Sequence, residues 1–225
     1  MCGRFANSID EETIVSEFNI FEVVKRPELN FNVAPGQDIA CVVKNGKNKL
    51  VSFRWGLIPS WAEDPKIGFR TINARAETLI QKPSFARPFK TQRCLIVADG
   101  FFEWQKSQGK KIPFFIHLKS KRPFGFAGLY DTWQSPEGEA VTTCTIITTI
   151  PNELIAPMHD RMPVILKKED REIWLDKNIS DPVKFLPLLQ PYQASEMAAY
   201  EVSPLCNSVK NNTPDCIKPI KRLNL

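Results

Sequence analysis

The chain opens MCGRF, which places a cysteine at position 2. Initiator methionine is commonly removed before a small residue, so the mature chain is expected to begin at Cys2. That residue would then carry a free α-amine and a thiol together. A 1,2-aminothiol does chemistry that an internal cysteine cannot. Its amine adds to an aldehyde to give a Schiff base, and its thiol closes on the same carbon to give a five-membered thiazolidine. With both nucleophiles on one residue, closure has the effective molarity of an intramolecular step. An α-amine has a reference pKa of about 7.7–8.0, so part of it is neutral at cellular pH. A neighbouring arginine would lower the thiol pKa.

Three further polar residues lie in segments that could serve such chemistry. Asn73, in TINARAET, reads most simply as a helix cap. Glu103 sits in ADGFFEW between Phe102 and Trp104. If it faces inward, desolvation raises its pKa toward the range suited to proton transfer at neutral pH; strand alternation could equally turn it to solvent. His159, in PMHDRMPVI, is either an acid/base group or an ordinary loop histidine. His117, mid-strand in FFIHLK, reads as packed or water-facing. Arg4, Arg75 and Arg161 each lie two residues from Cys2, Asn73 and His159, where guanidinium groups could clamp phosphates or form surface salt bridges. Trp55, Trp61 and Phe85 interleave with basic residues in a way that suits single-stranded nucleic acid. They also fit a core, and Trp55 reads as core. An aldehyde attached to a polyanion would satisfy the whole set, and the ring-opened abasic site of DNA is such a molecule.

Composition narrows the alternatives. The chain lacks GxSxG, GxxxxGK[ST], HExxH and GxGxxG, so a conventional hydrolase, NTPase or dehydrogenase finds no support. A formal net charge of +5 is compatible with a polyanionic partner without requiring one. No apolar run reaches the roughly 18 residues of a spanning helix, and no signal-peptide core opens the chain, so a cytoplasmic location is expected. Six cysteines without a CxxC pair, and only two histidines, give no zinc site and no cofactor. Three of the cysteines lie in IACVVK, RCLIVA and TTCTIITTI and read as buried free thiols.

These residues must be positioned by a strand-rich fold. Ser8-x-x-Glu11 is a capping-box pattern ahead of Ile14, Val15 and Phe18. Asn45-Gly46 between IACVVK and KLVSFRW predicts a hairpin. NARAETLIQ reads as a short helix, and RCLIVA and FFEW as strands separated by a bend or bulge at Asp99-Gly100. IPFFIHL, PFGFAGLY, TTCTIITTI and AAYEVS are strands, with a turn at Gly109; KKEDREIWLD and DPVKFLPLL are helices. The regular βαβ alternation is missing. The expectation is one α+β domain over residues 1–225, with a largely antiparallel β core, barrel-like or of two packed sheets, surrounded by short helices.

Taken in order, MCGRF, FNVAPG, RWGLIPSWA, INARAET, RCLIVADGFFEW, AGLYDTW, HDRMPVIL and VSPLCNSVKNN resemble the SRAP family of abasic-site-processing proteins, once described as SOS-response-associated peptidases. The resemblance covers most of the chain. It implies that Cys2 cross-links to the abasic aldehyde as a thiazolidine, Asn73 orients the amino terminus and opened sugar, Glu103 is the acid/base carboxylate, and His159 assists ring opening, Schiff-base chemistry and reversal. It places Arg4, Arg75 and Arg161 at phosphates, with Pro35, Trp61 and Thr148 along the strand. The implied partner is single-stranded DNA containing abasic sites, bound by a monomer without metal or membrane and carried to the nucleoid when on DNA; Schiff-base lyase activity is also implied. Two rivals remain: a thiol peptidase that acts on its own amino terminus through Cys2, and a non-covalent single-strand-binding module.

Overall fold

The computed structural model describes residues 2–220, so Met1, whose removal the sequence predicts, lies outside the described residues. Along the chain run β1 (Phe5–Asn7), α1 (Glu11–Glu17), β2 (Glu22–Val23), β3 (Asn30–Val33), β4 (Asp38–Asn45), β5 (Lys47–Trp55) and β6 (Asn73–Arg75). Then follow α2 (Pro83–Thr91), β7 (Arg93–Ala98), β8 (Gly100–Ser107), β9 (Lys110–Leu118), β10 (Phe124–Gln134) and β11 (Ala140–Thr149). Last come β12 (Met162–Pro163), β13 (Ile165–Leu166), α3 (Arg171–Leu175) and β14 (Met197–Glu201).

The strands form two sheets. One has the order β14-β9-β8-β1-β3 and is antiparallel throughout. The other runs β12-β11-β10-β7-β4-β5-β2, and the end of β5 pairs in parallel with β11, so β11, β10, β7, β4 and β5 close into a ring. Both expected descriptions therefore apply: a barrel-like sheet, and a second sheet packed on it. The architecture is α+β with short helices, as the sequence predicts.

The two faces of the ring explain why RCLIVA is apolar at almost every position. Cys41, Cys94, Ile96, Phe126, Cys144 and Ile146 face the first sheet, where they meet Cys2, Phe5, Phe101 and Ile116. Alternate residues Val42, Leu95, Val97, Leu129 and Ile147 face Ile14, Phe18, Phe85, Phe89 and Trp174 from the helices. A strand buried on both faces loses the in/out alternation that marks a half-exposed one. Three of the free thiols meet inside this core, with the Cys41 and Cys144 sulfurs 4.0 Å apart.

Local expectations are corrected in three places, and one helix was not expected. The N-cap of α1 is Asp10, which accepts from the Thr13 amide at 2.7 Å. Ser8 instead donates its amide, at 3.2 Å, and its hydroxyl to Asp99. NARAETLIQ is not a helix: Asn73–Arg75 is β6, paired in parallel with Ile146–Thr148, and only Ala76–Thr78 turns as 3-10. DPVKFLPLL is not an α-helix but a 3-10 segment, Pro182–Leu188, with Pro187 inside it. Helix α2 had no prediction; Pro83 starts it at a position that tolerates proline.

The hairpin at Asn45-Gly46 is present, with Gly46 at φ +71°. The bend at Asp99-Gly100 is where the chain leaves the ring (β7) for the other sheet (β8). Gly100 is needed there by close packing: a Cβ would stand 2.1 Å from Phe115 Cζ. This crossing carries Glu103 from the barrel wall into the neighbourhood of the amino terminus.

Candidate active site

Strand β1 fixes the start of the chain. Phe5 pairs with Phe101 and Ala6 with Gly100 on β8, and the Phe102 amide donates to the Arg4 carbonyl at 2.9 Å. Continued toward the amino terminus, this register brings Cys2 and Gly3 alongside Glu103. Cys2 is fully buried, at 0% exposure, and its thiol lies 3.8 Å from the Arg4 carbonyl. Burial pushes the thiol pKa well up, and the nearby Glu103 charge adds to this. The depressed thiol pKa expected from Arg4 is therefore not found, because desolvation dominates.

Asn73 reaches the same residue from the barrel side. Its Nδ2 donates to the Cys2 carbonyl at 2.8 Å, while its Oδ1 is buried with no hydrogen-bond partner among the described residues. The simplest sequence reading, a helix cap, is thus replaced by an amide that ties β6 to the amino terminus. That leaves one acceptor oxygen turned into a site where an N–H or O–H would complete it.

Glu103 faces inward, at 3% exposure, with its pKa raised from 4.5 to about 7, mainly by burial and further by the Asp160 charge. Glu103 and His159 line one open groove of about 670 Å³, together with Trp104, Lys106, Lys111, Met158, Asp160 and Asn207. The His159 Nδ1 accepts from the Arg161 amide at 3.0 Å and lies 2.7 Å from Asp160 Oδ1. The amide suits neutral imidazole, and the carboxylate suits imidazolium. Burial leads in holding the His159 pKa below its ordinary value, which favours the neutral ring and leaves Nε2 as the protonated nitrogen.

The remaining expected residues scatter around these four. Arg4 donates to Asn32 Oδ1 at 2.7 Å and the Cys206 carbonyl at 2.6 Å, with its guanidinium 6.0 Å from the Trp104 ring centroid. Asn32 in turn holds the carbonyls of Ser208 and Asn211, so the VSPLCNSVKNN segment serves to seat Arg4. Arg75 is exposed at the end of β6, whereas Arg161 is buried against Glu77. Pro35 is half-buried in the turn closed by Gln37 N–H to Ala34 O. Trp61 stands out at 58% exposure, but Trp55 is core, its indole donating to Ile72 O. Thr148 is wholly buried and its hydroxyl donates to Ala74 O at 3.4 Å, so its side chain offers no surface to a strand. Phe85 is core as well, and His117 packs beside Phe115 and Tyr200.

The sequence reading missed Trp104, Lys106 and Lys111. Period-2 counting on FFEWQK sets Trp104 and Lys106 on one face, and the hairpin register sets Lys111 opposite Lys106. That signal was present, but without the β8–β9 register it had nothing to attach to. Among the described residues no group of His, Cys, Asp and Glu is arranged to hold a metal ion, and no helix is long and apolar enough to cross a membrane.

Together the site offers a buried carboxyl titrating near neutrality, an imidazole favoured in its neutral form, a tethering amide and a cysteine at the head of the chain. These are suited to proton transfer at a carbonyl or hemiacetal oxygen. The family model for SOS response associated peptidase (SRAP) matches residues 1–209. The chain is 51% identical over 222 residues to the abasic site processing protein YoqW of Bacillus subtilis (strain 168), a match covering 97% of this chain and 99% of that protein. It is 38% identical over 196 residues to the abasic site processing protein HMCES of Gallus gallus, covering 76% of this chain and 58% of that one. A solved structure of a protein from Bacteroides thetaiotaomicron superposes with a TM-score of 0.89 at 29% identity, covering 97% of this chain and 100% of the other. By sequence and by fold, the chain belongs to the SRAP family.

Proposed function

We propose that the protein processes abasic sites in single-stranded DNA by joining Cys2, once Met1 is removed, covalently to the ring-opened sugar. The observation that carries this reading is the pairing of β1 with β8, which brings the head of the chain beside the buried Glu103 while Asn73 grips the Cys2 carbonyl. The abasic-site processing named for the YoqW and HMCES relatives supports the substrate.

The chemistry proceeds in three steps. Proton transfer through His159 and Glu103 opens the cyclic sugar to its aldehyde. The Cys2 amine adds to C1′, and the carbinolamine loses water to leave an iminium ion. The Cys2 sulfur then adds to that carbon and gives up its proton, closing the thiazolidine with a net loss of one water. Glu103 serves because a group with a pKa of about 7 is present as both acid and base at neutral pH. The buried thiol is held in its protonated form, so the amine acts first. The same burial weakens the thiol-peptidase reading, which needs a thiolate at the outset.

The test is a denaturing gel after incubation with single-stranded DNA containing one abasic site. The wild-type protein gives a shifted band. Cys2→Ala gives none yet still binds, and Cys2→Ser gives a product only when the Schiff base is trapped by borohydride. A stable adduct with Cys2→Ala would overturn the proposal. Equal binding of intact and abasic strands, with no adduct from wild type, would leave the non-covalent module.

A further inference from the structure

Arg161 is 9% exposed, and its guanidinium fork is already filled. Nη1 donates to Glu77 Oε1 at 2.7 Å and Nη2 to Oε2 at 2.9 Å. Nη2 also donates to the Thr148 carbonyl at 2.6 Å, and Nε is buried without a partner among the described residues. A guanidinium edge accepts one planar pair of oxygens, from a carboxylate or from a phosphate. With Glu77 in the fork and Thr148 on the adjoining proton, Arg161 has no edge left for a bidentate phosphate.

The two partners are unequally held. Arg161 is anchored to the main chain of β11, deep in the barrel wall. The Glu77 side chain is 49% exposed and rides on a single 3-10 turn, Ala76–Thr78. Glu77 is thus the solvent-side member of the pair, and the exposed Arg75 acts on the same carboxylate through its charge.

We propose that Glu77 stands in the place of a backbone phosphate, and that strand binding exchanges its carboxylate for phosphate in the Arg161 fork. This rests on the reading that single-stranded DNA is the substrate and Arg161 one of its phosphate holders. In the free protein the pair is neutral overall and keeps the guanidinium aligned. The exchange makes Glu77 a specificity-determining residue. A short or weakly charged anion gains little by displacing a carboxylate from Arg161. A strand whose other phosphates are held nearby displaces it at local concentration.

The test is binding of an intact single-stranded oligonucleotide, followed by fluorescence anisotropy over a series of salt concentrations. Glu77→Gln removes the competing charge. It should bind about three- to tenfold tighter at low salt, the worth of an exposed ion pair plus a relieved like-charge repulsion. Its plot of log K against log salt should keep the wild-type slope, because Arg161 meets one phosphate in both complexes; a slope steeper by about 0.7 would mean that wild-type Glu77 stays in the fork, and would overturn the exchange. Glu77→Asp keeps the charge and should keep the wild-type affinity, and the gain should vanish in the double variant Glu77→Gln/Arg161→Gln. Weaker binding by Glu77→Gln would mean that Glu77 only props Arg161, and the exchange would be wrong. Should Glu77→Gln not fold, wild-type protein carrying ¹³C-labelled glutamate decides. On strand binding the Glu77 carboxyl resonance should move to that of a solvated carboxylate, and an unmoved resonance overturns the exchange. The wild-type arm reports separately on the underlying reading: failure to bind any single strand removes the substrate, and the exchange with it.

Discussion

Glu103→Gln should make the protein more stable at alkaline pH while slowing its chemistry. The Glu103 carboxyl is 3% exposed, and its pKa stands at about 7 against an ordinary 4.5, with burial as the leading cause. The folded state therefore holds this proton more tightly than the unfolded chain does. Its contribution is fully present below pH 4.5, the unfolded value, and is lost as pH rises through about 7, the folded value. At about 1.4 kcal/mol per pH unit, the gap comes to about 3 kcal/mol. Glutamine has nearly the same shape and does not ionise. Urea unfolding of both proteins, followed by tryptophan fluorescence, measures the difference. Groups that titrate alike in both cancel, leaving the Glu103 contribution. Between about pH 4 and pH 8.5 the stability of Glu103→Gln relative to wild type should rise by about 3 kcal/mol, with m unchanged. Parallel stability curves over that range would refute the reasoning, because they would mean that Glu103 ionises in the fold as readily as in water. Cross-linking measured on the same samples should fall even as stability rises, as expected where a destabilised group is retained for its chemistry.

Two further outcomes test the strand path. Trp61→Ala removes an indole that is 58% exposed, so the melting temperature should not move, while binding of a single strand should weaken by about 1–3 kcal/mol, the worth of one stacked base; unchanged anisotropy would take Trp61 off the path. Lys106 and Lys111 face each other across the β8–β9 ladder and line the groove with Glu103 and His159, a like-charge pairing that costs stability. Their joint replacement by glutamine should raise stability slightly and flatten the salt dependence of strand binding by about 0.7 for each phosphate they neutralise, whereas an unaltered slope would make them a solvated hairpin tip.

The residues proposed to carry the chemistry were legible because their types are rare in their settings: a cysteine at position 2, a carboxylate among aromatics, a histidine in a proline-bounded loop. Their surroundings were less so. The alanine, glutamate and leucine of NARAETLIQ favour a helix, yet pairing with β11 outweighs a propensity of a few tenths of a kcal/mol per residue. That pairing turns Asn73 from a cap into a tether. Ser8 and Asp10 are both good caps, and Ser8 is drawn away by Asp99 from 91 residues further on. Helix α2 was hidden by Pro88 in its interior, which reads locally as a break. The Arg161–Glu77 pair joins residues 84 positions apart, so no local pattern could show that the arginine expected to meet phosphate already holds a carboxylate.

Burial acts in one direction on three titrating groups around the amino terminus. It raises the Cys2 thiol and the Glu103 carboxyl and lowers the His159 imidazole, so each is pushed toward its neutral form. On the proposed mechanism, protons then pass between Glu103, His159 and a sugar hydroxyl without leaving a desolvated charge on the buried Glu103 carboxyl. In that mechanism the same effect orders the two nucleophiles on Cys2. A thiolate stabilised in advance would add to the aldehyde directly and give a hemithioacetal, which reverses easily. A thiol kept protonated waits for a better electrophile, the iminium carbon that the amine creates. On the proposed mechanism, burial of the sulfur is therefore what directs the reaction to the ring-closed product, and a substitution that opened the thiol to water would speed its first contact with aldehyde while lowering the yield of stable cross-link.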